Sequence, residues 1–585
     1  MFRSFKMVAL ILACLLMVGC STFPTSGPVV RIGEVNANDG DYPVDISPAS
    51  PVIGGDPETI LAGFLAASTS GSVKSIEIAR EYLTPATAQQ WEPNKGTVIF
   101  DSEAHAPITT QTSAILQSPV VGKLSAEGHY SSGAGEQIDH NFGMLQVDGE
   151  WRISNPGDKL FLSRSTFERS FRAIPIYFLD LTGTRTVIEN VYFAAQDHSP
   201  TLAITALMKG PSTWLRPAVM TVFPAEMKNS AMSVQVNQDG NAEVNLSSQV
   251  ETLSADQRVL LAAQVVWTLS NFAQVRTVRI LVDDQPFTIR GQDSAGLLRV
   301  SQFATFRPSS SITPNALAVV NSELVGLPQD STRPVERLSG TFSTASWGDE
   351  IGRFTVSPSE DEVVVVNGVA NRLYSGSMTA DVPASPILDG TIFTDPQFDD
   401  RGNLWVIDNL NTGVPQLIRR QAMNWSQSNI DELAGHRVLS FSLSPDQTRL
   451  AVIFQGSEGT EVGMLRVRGT DQLVVDGLER IVLNTARGEL KDSLGLGWAN
   501  DTRLFILGST ADDEHSSVYS TDVDGAVGES VGPVADVEAV ALSVWPRAEG
   551  VSLIIRTSAG RVLKFEDRFR WTQVAEGVSL VGWAP

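Results

Sequence analysis

Apolar positions change their spacing along this chain, and each change indicates a different kind of element. Early in the chain, Ile60, Leu61 and Phe64 recur at helical spacing. After Trp91 the pattern becomes the alternation of apolar and polar residues that is typical of β-strands. We therefore predict an α+β domain over residues 56–180, in which helices precede an antiparallel sheet.

A second region, residues 188–308, mixes helical and strand spacing. Ser199-Pro200 predicts a helix start, with serine as the cap and proline in the first turn. Ser254 and Gln257 form the pattern of a capping box, which predicts a second helix. The segment Thr277–Val282 alternates as a strand does. Together these elements predict an α/β domain.

The rest of the chain, residues 315–585, repeats one unit: a strand, a turn rich in Pro, Asp or Gly, and a β-branched strand. Five units recur at intervals of about 40–55 residues, which is typical of four-stranded propeller blades. Residues 315–326 match the second half of a unit, and residues 578–585 match the first half. Joining them gives a split closing blade, because a closed ring leaves no sheet edge exposed.

This repeat predicts an all-β propeller with six blades. The number becomes seven if residues 408–439 contain an additional sheet. A β-sandwich is the alternative architecture, but five matching units favour the propeller.

The N-terminal residues have the pattern of an export signal. A short basic segment precedes the apolar run of residues 7–18, and Gly19 stands before Cys20. The run is shorter than the roughly 20 residues that a helix needs to cross a bilayer. Residues 16–20, Leu-Met-Val-Gly-Cys, resemble a bacterial lipobox. The resemblance implies cleavage between Gly19 and Cys20 and a diacylglyceryl group on the Cys20 sulfur; an ordinary signal peptide with a chance cysteine is the alternative.

Under this interpretation the signal peptide is residues 1–19, and residues 20–55 are a lipid-anchored, proline-rich tether. The chain has two cysteines, and Cys14 lies within the signal. The mature protein then retains only Cys20, which excludes disulfides and cysteine catalysis.

The formal net charge of −23 restricts the classes of partner. Nucleic-acid binding requires Lys and Arg to contact phosphate, so we predict no nucleic-acid partner. Broad contact with an anionic membrane surface is disfavoured for the same reason. The membrane is therefore contacted through the lipid anchor.

Motifs of known enzymatic chemistry are absent from the sequence. It contains no nucleophile elbow, Walker loop, HExxH or GxGxxG motif. The six histidines are not spaced as metal ligands, and the acidic residues near His515 and at Asp522–Gly525 are interpreted as turns. We predict no enzymatic activity, catalytic residue, cofactor or metal site. The arginines at 164, 169 and 172 are interpreted as a solvated face, with bridging between domains as the alternative.

Five tryptophans lie beside or within the repeated strands. In a propeller such residues usually pack between blades, so we interpret them as core residues. A sugar-stacking surface is the alternative. The five residues are Trp347, Trp405, Trp498, Trp545 and Trp583.

Two segments resemble known domain families. The hairpin pattern Asp148-Gly-Glu-Trp-Arg-Ile153, after helices and strands, resembles the NTF2-like, cystatin-like α+β cone. The order of Ala206-Leu-Met-Lys-Gly-Pro-Ser212, Val244-Asn-Leu-Ser247 and the strand near residue 280 resembles the GerMN domain, a binding or scaffold module. Typical members carry Asp at the position of Asn245.

The order of lipobox, tether, cone, GerMN-like domain and propeller resembles the LpqB lipoprotein family of actinobacteria. That resemblance implies a lipoprotein on the extracytoplasmic face of the cell membrane. It further implies binding to the extracellular domain of a sensor histidine kinase of the MtrB type, with modulation of two-component signalling in envelope and cell-division control. The alternatives are a scaffold that binds peptidoglycan or glycan, and a hydrolase that uses a carboxylate in the propeller tunnel.

Overall fold

The first helix of the first domain begins after a side-chain cap at Asp56. The computed structural model describes residues 49–584, except residues 70–72, 94, 102–107, 111–112, 134, 196–198, 230–231, 308–313, 330–331, 345–346, 458, 470–471, 486–487, 514, 534–536 and 548–549. The Asp56 carboxylate accepts a hydrogen bond from the Thr59 N–H at 2.8 Å. The helices of this domain are α1 (Pro57–Ala67), α2 (Val73–Glu81), α3 (Pro85–Gln90) and α4 (Arg164–Ser170).

Thr84 and Pro85 begin a helix of their own. Helix α2 already ends at Glu81, and Thr84 caps α3, with its hydroxyl accepting a hydrogen bond from the Thr87 N–H at 3.4 Å. A Thr-Pro pair suits a helix start as well as a helix end, because proline fits the first turn.

The helices pack on a sheet in which β3 is the central antiparallel strand. It pairs with β1, β2, β4 and β5, and β1 also pairs in parallel with β8. Strands β6 and β7 form the hairpin that the sequence predicts, with Asp148 and Gly149 at positive φ in its turn. The strands are β1 (Thr97–Phe100), β2 (Ile108–Thr109), β3 (Ala114–Leu124), β4 (Tyr130–Ser132), β5 (Gln137–Asn141), β6 (Met144–Val147), β7 (Glu150–Ile153) and β8 (Leu160–Ser163).

The second domain begins earlier than the sequence pattern suggested. Strand β9 (Phe171–Asp180) had been assigned to the first domain, whose end was placed at residue 180. It pairs along its whole length with β10 (Thr186–Ala194), and its Ile174 and Phe178 pack in the core of the second domain. The boundary therefore lies near residue 171, because long-range pairing decides which domain a strand joins.

Two helices cover the sheets of the second domain. The buried helix α6 satisfies the β9 backbone directly: Tyr177 N–H donates to Thr268 Oγ1 at 3.1 Å, and Gln264 Nε2 donates to the Tyr177 carbonyl at 3.2 Å. The capping box of Ser254 and Gln257 is present. The elements are α5 (Pro200–Lys209), α6 (Ala255–Leu269), β11 (Val219–Met220), β12 (Val234–Val236), β13 (Asn241–Leu246), β14 (Thr277–Val282) and β15 (Gln285–Pro286).

The propeller consists of six sheets in the described residues, in agreement with the predicted number of blades. Blade 2 contains β19 (Ile351–Val356), β20 (Glu362–Asn367), β21 (Arg372–Ser377) and β22 (Ser385–Asp389). Blade 3 contains β23 (Gln397–Phe398), β24 (Leu404–Asn409), β25 (Pro415–Gln421) and β26 (Asn424–Asn429). Blade 4 contains β27 (Val438–Leu443), β28 (Arg449–Gln455), β29 (Thr460–Arg468) and β30 (Val474–Arg480).

The next two blades follow the same order of strands, and blade 5 has an additional short strand. Blade 5 contains β31 (Asn484–Thr485), β32 (Gly488–Asn500), β33 (Arg503–Thr510), β34 (Ser517–Asp522) and β35 (Gly528–Gly532). Blade 6 contains β36 (Ala539–Pro546), β37 (Val551–Thr557), β38 (Val562–Asp567) and β39 (Arg570–Ala575).

Blade 1 is made from the two ends of the propeller sequence. Strand β40 (Leu580–Ala584) pairs antiparallel with β16 (Asn315–Val320) in five residue pairs, from Ala584 opposite Asn315 to Leu580 opposite Val319. The blade is completed by β17 (Glu323–Gly326) and β18 (Glu336–Arg337). This pairing joins the two half units that the sequence pattern had matched, and it closes the ring.

Candidate functional site

A central channel runs between the innermost strands of the six blades, which are β40, β19, β23, β27, β32 and β36, and it continues to the second domain. Its volume is about 980 Å³. The second domain contributes side chains to its wall, including Arg185, Trp267 and Arg307. The channel is therefore shared between two domains, which is where ligand sites often lie.

Acidic residues in the turns of three neighbouring blades hold the second domain over the channel. The turns connect β23 with β24, β27 with β28, and β32 with β33, and they carry Asp400, Asp446 and Asp501 in that order. Arg185, which is 10% exposed at its side chain, donates to both carboxylate oxygens of Asp400, at 2.9 and 2.7 Å. Both of these bonds come from Nη2, and Nη1 donates to the Pro445 carbonyl of blade 4 at 3.2 Å, so one guanidinium contacts the turns of two blades.

The contact at blade 5 is made by Arg307. Its Nε lies 3.2 Å from Asp501 Oδ2, and its Nη1 donates to the Tyr177 hydroxyl at 2.9 Å. The guanidinium also lies 5.7 Å from the ring centres of Tyr177 and Trp267. Burial, and after it the charge of Asp446, raises the pKa of Asp501 to about 6, although Arg307 acts in the opposite direction.

Blade 4 contributes a fully buried arginine to the same interface. Arg449 pairs with Asp446 of its own turn at 2.9 Å, and its Nη2 donates to the Ile188 carbonyl of the second domain at 2.5 Å. The side chains are only 4% and 1% exposed. A buried charge requires a partner and further hydrogen bonds, and this pair has both.

A tryptophan of the second domain packs on the outer strands of blade 4. Trp214 Nε1 donates to the Gly477 carbonyl at 2.5 Å, and Arg466 Nη1 donates to the Trp214 carbonyl at 2.5 Å. Arg466 is held in place by Asp476, whose carboxylate lies 2.9 Å away. The contact is therefore both apolar and polar, as in stable interfaces.

All three domains meet at one point beside blade 5. The Tyr192 hydroxyl lies 3.2 Å from Asp522 Oδ2 and 3.1 Å from Asp524 Oδ1, in the turn after β34. Its ring packs with Tyr130 and Phe167 of the first domain, in an apolar cluster that also includes Ala526. Burial, together with the charge of Asp522, raises the pKa of Asp524 to about 7.

One of the three predicted surface arginines takes part in this junction. Arg164 pairs with Asp101 and donates to the Thr485 carbonyl of the propeller at 3.3 Å, so the solvated interpretation was wrong for this residue. Arg172 instead bonds carbonyl groups of its own segment, among them Phe171 at 2.7 Å. Local sequence does not distinguish these cases, since the partner of Arg164 is 321 residues away.

The turn after β34, which the sequence pattern explains only as a turn, is a contact point between domains. The Tyr192 hydroxyl, which has one proton to donate, lies within hydrogen-bond distance of both Asp522 and Asp524 there. No signal in the sequence identifies this role, because acidic residues are common in solvated turns. The acidic loop near His515 also forms a turn, in which Asp513 accepts a hydrogen bond from Thr510 N–H at 3.1 Å.

The tryptophans of the propeller differ in how deeply they are buried. Trp405 and Trp498 are 2% exposed, and each Nε1 donates within the propeller, to Asp399 Oδ2 and the Ser442 carbonyl. Trp545 and Trp583 are partly exposed and line the channel. Trp347 packs against Phe342 and Tyr374 in blade 2.

Asn245 has a structural role in this chain. Its Nδ2 donates to Asp284 Oδ1 at 2.7 Å, and its Oδ1 accepts from the Asp284 N–H at 3.1 Å. The amide thereby supports a turn in which Asp283 and Asp284 have positive φ. An aspartate at position 245 would have no side-chain N–H to donate to the Asp284 carboxylate.

The predicted lipidation and cleavage residues, Gly19 and Cys20, lie outside the described residues, as do His105 and His198. Lipidation therefore stays a prediction. Within the described part of the chain, no group of three or more His, Cys, Asp or Glu side chains is arranged to hold a metal ion. No helix there has the length and apolarity that crossing a membrane requires.

Three family models match the chain in succession. Residues 50–168 match the N-terminal domain of Lipoprotein LpqB, residues 175–288 match the domain described as Sporulation and spore germination, and residues 323–581 match the Lipoprotein LpqB beta-propeller domain. The gap between residues 168 and 175 contains the boundary that the structure places near residue 171. The predicted three-part fold class is thereby confirmed, and none of these descriptions names an enzyme.

Relatives extend over nearly the whole chain. Lipoprotein LpqB of Cutibacterium acnes is 29% identical over 607 residues, covering 99% of this chain and 99% of that protein. Lipoprotein LpqB of Thermobifida fusca is 26% identical over 632 residues, with 97% of each covered. Among solved structures, TolB from Acinetobacter baumannii covers 58% of this chain and 87% of its own, with 11% identity and a TM-score of 0.34.

Proposed function

The chain belongs to the LpqB lipoprotein family, and from that premise we propose that it is an accessory protein of a sensor histidine kinase. Lipidation of Cys20 holds it on the extracytoplasmic face of the cell membrane. There it binds the extracellular domain of a kinase of the MtrB type and modulates its two-component signalling. Envelope and cell-division control change as a consequence, without enzymatic activity of the lipoprotein itself.

The observation that carries this proposal is the fixed attachment of the second domain to the propeller. Arg185, Arg307 and Arg449 attach it to three adjacent blades, and their side chains are 10%, 32% and 4% exposed. A fixed arrangement presents one preformed surface to a protein partner. Preformed surfaces bind with a smaller loss of conformational entropy.

A lipid anchor makes a modest affinity for the kinase sufficient. Two acyl chains give stable attachment where one is marginal. Attachment to the same membrane converts binding into a nearly intramolecular event, so the effective concentration of the partner is high. Binding then shifts the kinase toward the conformation for which the lipoprotein has the higher affinity.

Exposed apolar side chains on two neighbouring blades support a contact surface there. Met423, between β25 and β26 of blade 3, is 90% exposed, and Trp425 beside it is 39% exposed. Val382, in the corresponding loop of blade 2, is 47% exposed. Large apolar side chains on a surface are typical of binding sites, and Met and Trp are enriched in them.

Photo-crosslinking in cells tests this proposal. A photoreactive amino acid replaces Met423 in the full-length protein, and a matched variant carries it at Asp239, an exposed turn position in the second domain. We expect crosslinks from position 423, and not from 239, to a histidine-kinase ectodomain, identified by mass spectrometry. Crosslinks only to wall polymer or wall enzymes would contradict the proposal and support the peptidoglycan-binding alternative.

A second experiment tests the role of the anchor. We expect a Cys20→Ala variant to be absent from the membrane fraction. We also expect phosphorylation of the response regulator in that strain to change in the same way as in a strain that lacks the gene. Unchanged phosphorylation in both strains would contradict a signalling role.

A further inference from the structure

Two exposed apolar side chains lie near the N-terminal end of the first domain. Val52 and Ile53 are 59% and 91% exposed. They belong to a turn in which the Gly55 N–H donates to the Val52 carbonyl at 3.0 Å, with Ile53 and Gly54 at the two central positions. The tips of surface turns are usually occupied by Gly, Pro, Asn, Asp or Ser. A branched apolar side chain at such a tip therefore indicates contact with an apolar environment.

The first domain holds this turn in one conformation. The Gly54 N–H donates to Glu150 Oε2 of β7 at 2.9 Å, and the Tyr82 hydroxyl donates to the Ala49 carbonyl at 2.7 Å. Gly54 has a φ of 71°, which other residues rarely adopt. Directly after the turn, Asp56 caps helix α1. An apolar tip that is already ordered loses little conformational entropy when it becomes buried.

The β6–β7 hairpin places a third exposed apolar side chain near the turn. Leu145 is 54% exposed. Val147 pairs with Glu150, and alternate residues of a strand share a face, so Leu145 lies on the same face as Glu150, which binds the turn. Met144 and Ile153, on the other face, are buried in the core of the domain. The Leu145 and Glu150 Cα atoms are about 9 Å apart, given the usual spacings along and between antiparallel strands.

The lipid anchor keeps this surface close to the bilayer, so the inference rests on the proposed lipidation. Cys20 and Ala49 are separated by 28 residues. A flexible coil of that length has an average end-to-end distance of about 30 Å. The turn begins three residues after Ala49 and therefore meets the bilayer at a high effective concentration. Under that condition even a small apolar contact area is sufficient for binding.

Charges around the turn disfavour attraction to anionic headgroups. Asp56 and Glu58 follow the turn, Asp148 lies at the tip of the hairpin, and all three are exposed. Arg152 contributes one basic residue on the outward face of the hairpin. Acidic side chains are repelled by an anionic membrane surface. The contact is therefore made by the apolar side chains, and anionic lipid should not strengthen it.

We propose that the turn at Val52 and Ile53 inserts into the membrane beside the lipid anchor, with Leu145 in contact with the membrane surface. Insertion of this kind reaches about 5–10 Å into the boundary between headgroups and acyl chains. The first domain is attached to the propeller through the apolar cluster around Tyr192 and through Arg164. Insertion of the turn consequently orients the propeller relative to the bilayer.

Fluorescence quenching tests this contact on the lipidated protein in phosphatidylcholine vesicles. An Ile53→Cys variant, whose new cysteine is the free thiol once Cys20 is acylated, carries an environment-sensitive fluorophore. We expect about a twofold decrease in its emission when the vesicles contain lipid with a doxyl group near the top of the acyl chain. Ala126→Cys is the matched control, because Ala126 is exposed in the turn between β3 and β4, beside Gly128, whose carbonyl accepts a hydrogen bond from the Tyr192 N–H. The probe at position 126 should not be quenched.

The outcomes separate this proposal from lipid anchoring and from protein contacts. Vesicle-bound protein without quenching at position 53 would overturn the insertion and leave the anchoring intact, whereas protein that does not sediment with the vesicles would contradict both. A blue-shifted probe at position 53 that doxyl lipid does not quench would overturn the proposal in favour of a protein partner or a second copy of the chain. Equal quenching at positions 53 and 126 would also contradict it.

A second set of variants tests whether the turn and the hairpin contact the membrane together. The fluorophore is placed at Leu145→Cys, and Val52→Ser and Ile53→Ser are introduced together in that chain. We expect quenching at position 145 to fall about twofold, because the inserted apolar side chains are lost. Leu181→Ser is the matched control, since Leu181 is 45% exposed in the second domain. Unchanged quenching in the serine variant, or stronger quenching when phosphatidylglycerol replaces phosphatidylcholine, would contradict the proposal.

Discussion

The Tyr192 hydroxyl of the second domain lies 3.1 Å from Asp524 Oδ1 of the propeller, across 332 residues of sequence. The same hydroxyl lies 3.2 Å from Asp522 Oδ2. One phenol therefore lies between two acidic side chains at the point where all three domains meet. Its burial makes the arrangement sensitive to substitution and to pH.

Tyr192→Phe removes the hydrogen bonds and keeps the ring. We expect a decrease in the free energy of unfolding of about 1–3 kcal/mol, because a buried acceptor loses its donor. Chemical denaturation followed by tryptophan fluorescence measures it. Tyr374→Phe is the control, since Tyr374 lies in blade 2 away from the domain junction; equal effects of the two substitutions would contradict the junction role.

Asp524 gives the junction a defined pH dependence. Its pKa is raised from 3.8 to about 7 in the folded protein, so the folded state binds the proton more tightly than the unfolded state. Protonated Asp524 stabilises the folded state, and this contribution to the free energy of unfolding is complete below about pH 4. It is lost as the pH rises through about 7. We expect wild type to lose thermal stability relative to Asp524→Asn between these values, with a constant difference above pH 8.

The matched control for this titration is Asp512→Asn, at an exposed position of blade 5. Its stability relative to wild type should show no comparable change over the same range. A flat difference between wild type and Asp524→Asn would show that the carboxyl at 524 does not titrate as described. Because Asp522 and Asp524 interact, the pH midpoint of the stability change is a property of the two carboxyl groups together.

Local features of this fold were predictable from the sequence, since they depend on neighbouring residues. The Asp56 cap, the Ser254 capping box and the Asp148-Gly149 turn each involve groups within a few residues of one another. The blade repeat was predictable for a similar reason, as each blade is a local meander.

Features that depend on distant contacts were not predictable. Strand β9 has the same alternation whichever domain it joins, and its pairing with β10 decides the boundary. Trp498 and Trp545 occupy similar places in their repeats and both lie at the channel wall, but Trp498 is 2% exposed and its Nε1 donates to the Ser442 carbonyl, whereas Trp545 is partly exposed. Asp400 pairs with Arg185, which is 215 residues away, and Asp501 pairs with Arg307 of another domain, so no local pattern identifies these two contacts.

Arg307→Ala tests the closure of the channel at blade 5. The substitution leaves the Asp501 carboxylate, whose pKa is raised to about 6, without its nearest cation. Above pH 6, where Asp501 is ionised, we expect a loss of about 1.5–3 kcal/mol in the free energy of unfolding. Below pH 5 the loss should be smaller, because Asp501 is protonated in both proteins.

Arg290→Ala is the control for Arg307→Ala, since the pair of Arg290 with Asp256 is 71% and 83% exposed and contributes little. Melting temperatures at pH 5 and pH 8 compare the two variants with wild type. A pH-independent loss in Arg307→Ala would show that its stacking on Tyr177 and Trp267, and not its charge, stabilises the interface.

Gly582 tests the fit of the closing strand β40 against blade 2. A Cβ at this position would lie 2.8 Å from the Phe354 ring, which is too close, so the ring or the strand has to move. We expect Gly582→Ala to lower the free energy of unfolding by about 1–3 kcal/mol through overpacking. The control is Gly495→Ala on β32 of blade 5, where the nearest atom, Leu542 Cβ, would lie at 3.4 Å. The denaturation midpoint should therefore be highest for wild type, lower for Gly495→Ala and lowest for Gly582→Ala. Equal midpoints for the two variants would mean that the contact between β40 and Phe354 accommodates an added methyl group without strain.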